Sequence, residues 1–126
     1  MKKTNENMAS YNIFLAKSNS SIRQIFMEIK ETINSLDNSI FEQINKSMLT
    51  LKKSRKSKIR GIVWLQPGVN YLIIYLAKGN YNSSLFEIFP EGFGGYPYIK
   101  VTHDNYNMNE IKRLSIQALE KINSIL

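Results

Sequence analysis

Cysteine is absent from this 126-residue chain. That excludes a disulfide framework and any thiolate metal site, and it suits a reducing compartment. Histidine occurs once, at His103, so neither a multi-histidine metal centre nor a two-histidine relay can form. No apolar run approaches the roughly 18 residues needed to span a bilayer. The N-terminus, "MKKTNENMASYNIFLAKSNSS", starts basic, but its apolar runs are too short for a secretory signal. The expectation is a soluble cytoplasmic protein with no membrane partner, no metal and no cofactor. Length and an apolar content of 43% fit one domain with one core.

What the chain has in excess is positive charge, and in one place. The stretch "LKKSRKSKIRGIVW" (51–64) carries Lys52, Lys53, Arg55, Lys56, Lys58 and Arg60 with no acid among them. The whole chain has 17 basic and 10 acidic residues, a net charge of +7, and without those six the two signs nearly cancel. A polyanionic partner, nucleic acid above all, would therefore meet this segment. Six neighbouring like charges repel, and burying one unpaired is costly. The ten acids are scattered along the sequence. Residues 52–60 are thus expected as a loosely ordered hairpin tip that projects into water.

Residues 1–19 read as a polar arm, with Tyr11, Ile13, Phe14 and Leu15 as a docking patch. Residues 20–126 read as a single α+β domain. In "SSIRQIFMEIKETINSL" the residues Ile22, Ile25, Phe26, Ile29, Ile33 and Leu36 fall at helical spacing behind Ser20 or Ser21 as N-cap. "DNSIFEQINK" fits either a short helix or a run into a strand. Strands follow in hairpin succession: "SMLTLKK", "RGIVWLQ", "YLIIYLAK", "LFEIFP" and "YPYIKVT", separated by "PGVN", "GNYNSS" and "EGFGG". Pro97 suits an edge strand. Asn107 with Glu110 opens a last helix, whose buried stripe is Ile111, Leu114, Ala118, Leu119, Ile122 and Ile125. The expected architecture is an antiparallel sheet of four to five strands, with an N-terminal and a C-terminal amphipathic helix packed on one face.

Side chains alternate across a sheet. Leu72, Ile74, Leu76, Val63, Leu65, Ile99 and Val101 are expected under the helices. Trp64, Tyr71, Tyr75, Tyr96 and Tyr98 then share the other face, together with Ile62. Aromatics on an open sheet beside a basic segment are what single-strand binders use, with bases stacked and phosphates held by cations. The same aromatics equally suit a covered face, because aromatics are favoured in strands in general.

Catalysis has little to work with. "HD" at 103–104 is the pair found in metal-dependent phosphohydrolases, but the further histidines of that chemistry are missing. Glu87 and Glu91 are a carboxylate pair of the kind that serves as acid and base, yet their spacing does not set them apart from ordinary surface. "GFGGYP" (92–97) lacks the lysine and Ser/Thr of a phosphate loop and opens no helix. Gly92, Gly94 and Gly95 read as tight-turn residues. No catalytic residue is assigned.

From about residue 20 to 124 the chain resembles a family of small domains labelled predicted transport protein, often found behind restriction-endonuclease-like domains. The resemblance lies in the order of elements: an amphipathic helix, a lysine-bearing strand, the hairpin "GIVWLQPGVNYLIIYL", the glycine loop "EGFGGYPYIKV" and the closing helix "NMNEIKRLSIQALEKI". The family's glycine loop usually carries a tryptophan and an acid, and 92–98 has neither. The topology is also similar to the double-wing DNA-binding domains. Neither resemblance implies a catalytic residue. The residues leave three functions as expectations: first a non-enzymatic nucleic-acid-associated module, then a protein-interaction or homodimerisation module such as a phage- or mobile-element-borne inhibitor, and last an enzyme using carboxylates and tyrosines.

Overall fold

The computed structural model describes residues 11–126 apart from Lys56, so the expectations for residues 1–10 and for Lys56 lie outside it. Helix α1 (Ser20–Asn34) precedes five strands, β1 (Ile40–Ile44), β2 (Leu49–Arg55), β3 (Lys58–Pro67), β4 (Leu72–Leu76) and β5 (Tyr98–Val101), and helix α2 (Met108–Asn123) follows. The sheet has the order β1-β2-β3-β4-β5, antiparallel throughout. This is the α+β arrangement that the sequence pattern predicts, and it assigns the ambiguous stretch after α1 to strand β1.

The helices bury the stripes their spacing dictates. Ile22, Ile25, Phe26, Ile29 and Ile33 of α1, and Ile111, Leu114, Ala118, Leu119 and Ile122 of α2, meet Leu49, Leu51, Val63, Leu65, Leu72, Ile74, Leu76, Ile99 and Val101 in one core. Each fully buried aliphatic side chain contributes about 1.5–3 kcal/mol. Ile125 departs from the expected stripe and is exposed. It follows the C-cap Ser124, where the helical period ends.

Asn19, not Ser20 or Ser21, caps α1, its side chain accepting from the Ile22 N–H at 2.8 Å. Asn19 donates its own backbone N–H to Val69 of the β3–β4 turn, which fixes it one residue ahead of the serines. Part of the expected docking patch packs against the domain, while Ile13 is exposed. Tyr11 and Leu15 are buried in the core, and Tyr11 and Phe14 both place their rings against Phe26. Arg23 donates to the carbonyls of Leu15, Ala16 and Ser18, fastening that segment to α1. Asn107 caps α2 by accepting from the Glu110 N–H at 2.9 Å.

"LFEIFP" is not a strand. Only Phe89 bridges to β5, opposite Tyr98. Phe86 turns into the core instead, and Pro90 and Pro97 lack the N–H groups that a longer ladder needs.

Candidate polyanion-binding hairpin

The basic run is ladder, not open loop. β2 and β3 pair from Leu49 opposite Leu65 out to Arg55 opposite Lys58. Ser57 takes a positive φ of 69° at the tip. One irregularity decides where the charges go. The register shifts between Leu51, which faces Val63, and Lys52, which faces Gly61. Ile62 is the extra residue of a β-bulge, and a bulge changes the parity of everything beyond it. Ile62 therefore joins the buried core rather than the face of Trp64, a correction to simple alternation.

Beyond the bulge, Lys53 lies opposite Arg60 and Arg55 opposite Lys58, while Lys52 lies opposite Gly61 and Phe41. Directly opposed residues share a face. By its pairing with Leu49 and Leu51, the helix side of the sheet thus receives the Lys53–Arg60 position, and the outer side receives Lys52. The cations and the aromatics do not form one surface: of the described cations in the run, only Lys52 stands on the side of Trp64.

Lys53 corrects the expectation of six free charges. It is only 8% exposed, and its ammonium donates to Asp37 at 2.6 Å and to the Asn123 side chain. The chain between α1 and β1 supplies the acid that the run itself lacks. Hydrogen bonds from Lys53, and then from the Ser39 backbone and hydroxyl, hold the Asp37 carboxyl at about 2. A second ion pair, Lys30 with Glu42 at 3.2 Å, ties α1 to β1 under the same face. Lys52, Lys58 and Arg60 have no carboxylate within ion-pair distance among the described residues. Arg55 is placed by its register alone.

The aromatic residues form a cross-strand row. Thr50, Trp64, Tyr75 and Tyr98 face one another across four strands. The loop between β4 and β5 folds over them. Phe93 sets its edge against both Trp64 (5.8 Å) and Tyr75 (4.5 Å), Tyr96 lies 4.4 Å from Trp64, and Phe89 stacks on Tyr98 at 4.8 Å. Tyr75 donates to Gln66 at 3.1 Å, and burial pushes its hydroxyl pKa up. Tyr71 stands apart from the row, under the Lys100 ammonium. A Cβ on Gly61 would fall 2.4 Å from the Trp64 ring, so glycine there lets the indole lie flat on β3. The outer face is a second, half-buried aromatic cluster with a lid, not an open stacking platform.

Sequence reasoning missed two cations. Pairing of β3 with β4 ends at Val63 opposite Leu76, so the hairpin runs past the end of β4 and leaves a step beside it. A cleft of about 400 Å³ sits in this step, bounded by Arg60, Lys78 and Lys121, with Tyr96, Ile122 and Ile125 among its walls. Lys78 and Lys121 are isolated in the sequence. Only the folded chain brings them to Arg60.

The other singled-out groups stay apart from this site. Glu87 and Glu91 are exposed on the covering loop. His103 Nδ1 lies 3.1 Å from the Ser21 hydroxyl at the surface, and no carboxylate bonds the ring among the described residues. No cluster of metal-ligating side chains forms among the described residues, and no described helix is long and apolar enough to cross a membrane. Comparison with protein families, curated proteins and solved structures gives no match. The family resemblance therefore stays an expectation from the order of elements.

Proposed function

We propose that this protein is a non-enzymatic nucleic-acid-binding module whose contact element is the β2–β3 hairpin. One observation supports the reading: among the described residues Lys53 is buried against an acid partner, whereas Lys52, Lys58 and Arg60 have none. A two-stranded ribbon that carries cations suits the major groove of duplex DNA, about 12 Å wide, where phosphates flank the ribbon on either side. The aromatic cluster then serves as the rigid base from which the ribbon projects. Phosphate contacts give affinity with little sequence preference.

The test is a titration of the full chain against a labelled duplex and a single strand of the same sequence, at low and moderate salt. The reading expects duplex binding at low salt that weakens steeply as salt rises. Absence of binding at low salt, or binding that ignores salt, overturns it.

A protein-interaction reading is favoured by a different observation. β1 is an edge strand with no neighbour on its outer side among the described residues, and Phe41 on it is exposed. Such an edge offers unpaired backbone groups for strand addition, including by a second copy. Light scattering across a wide concentration range checks this. A mass that doubles, and reverts in Phe41→Glu, supports it; a single-chain mass throughout removes the homodimer.

A further inference from the structure

The cleft beside β4 gathers three cations from three elements: Arg60 of β3, Lys78 just past β4 and Lys121 of α2. Among the described residues none has an acidic partner and none of the cleft's lining side chains is a carboxylate. The lysines are positioned by more than chance exposure. The Lys78 ammonium lies 5.2 Å over the Tyr96 ring, and that of Lys121 lies 5.1 Å over the Tyr81 ring. Tyr81 is itself buried and donates its hydroxyl to the Ala77 carbonyl. Gly79, at φ 151°, leaves room for the Lys121 stem, which a Cβ there would strike at 2.6 Å. Like charges converging on one concavity repel unless an anion sits between them.

We infer that this cleft is a phosphoryl-binding subsite. Arg60, Lys78 and Lys121 supply the charge, and the guanidinium of Arg60 can hold two phosphoryl oxygens at once. The C-terminus of α2 opposes an anion with roughly half a negative charge, which three full positive charges outweigh. The Ser124 hydroxyl adds nothing, because it already donates to the Lys121 carbonyl at 2.8 Å. The shared chemistry is a phosphate ester, presented by a nucleic-acid backbone or by a free mononucleotide. The cleft lies at the root of the hairpin, so the first source rests on the function proposed above. The second does not.

The experiment is amide-resolved NMR of the full chain titrated separately with inorganic phosphate, adenosine monophosphate, adenosine and a DNA duplex. Phosphate and the monophosphate are expected to shift the amides of Gly61, Lys78 and Lys121, and adenosine to leave them still. The double variant Lys78→Gln, Lys121→Gln should bind the monophosphate more weakly by about tenfold or more, the loss of charge-assisted hydrogen bonds. The pair Lys78→Arg, Lys121→Arg should retain it. If the glutamine pair does not fold, Arg60→Gln makes the same comparison. No shift at the cleft with phosphate and monophosphate overturns the subsite, as does a folded glutamine variant that binds as the native chain does. Duplex binding with a silent cleft leaves the hairpin function standing and removes the subsite. Phosphate shifts in the cleft without duplex binding support the subsite and remove the hairpin function.

Discussion

Lys53 and Arg60 face each other across the β2–β3 ladder with the same charge, yet among the described residues only Lys53 reaches a carboxylate. Their substitutions should therefore diverge. Lys53→Gln strands Asp37 and Asn123 and should cost about 2 kcal/mol, below the figure for a fully buried pair because Asp37 keeps some contact with water. Lys52→Gln should move stability by no more than about 0.5 kcal/mol. Arg60→Gln relieves a cross-strand repulsion and should be neutral or slightly stabilising. Thermal melts of the three variants check this; equal loss in all three contradicts the pairing. Acid sensitivity follows from the same kind of contact. Asp37 falls from 3.8 to about 2, and Glu110, held first by Arg113 and then by Ser83, falls from 4.5 to about 2. Folded values below the ordinary ones mean that the carboxylates stabilise the fold above their ordinary pKa. That contribution is lost as the pH drops through the folded value. Denaturant melts should lose stability between about pH 4.5 and 2. The double variant Asp37→Asn, Glu110→Gln should start lower at neutral pH and lose less across that window. A native profile that stays flat there rules the linkage out.

The helices and most strand faces were legible in the sequence because their apolar periods are unbroken, and every aliphatic residue expected under the helices on β3, β4 and β5 is buried. The bulge was not legible, because "RGIVW" alternates on paper and parity changes only against the register of a partner strand. Its one local trace is the adjacent aliphatic pair Ile62 and Val63, both buried. That single inserted residue moves Lys58 and Arg60 away from the aromatics and so divides the expected site in two. The aromatic set was legible as a set, but its cover was not. Phe89 and Phe93 lie on an irregular loop whose partners are set by long-range folding. Phe93→Ala should open the lid, shift Trp64 emission to the red and cost about 1–2 kcal/mol for the lost ring contacts. Unchanged emission would mean that Phe93 does not shield the indole. Lys78 and Lys121 show the same limit: an isolated lysine has no pattern, and only the step beside β4 groups the pair with Arg60.

At the scale of the molecule, one face of the sheet builds the core, the other builds a lidded aromatic cluster, and the hairpin runs beyond both with most of the excess charge. On the function proposed above, the hairpin cations beyond the bulge hold phosphates. The most direct measurement is a pair of salt titrations of duplex DNA binding, one with the native chain and one with Lys58→Gln, Arg60→Gln. Both cations lie past the bulge, and neither has an acid partner to lose among the described residues, so the variant should remain folded. Each phosphate contact contributes about −0.9 to the slope of log affinity against log salt. The variant should bind more weakly at low salt, with a slope shallower by about 1.8. A folded variant with the native slope would contradict it.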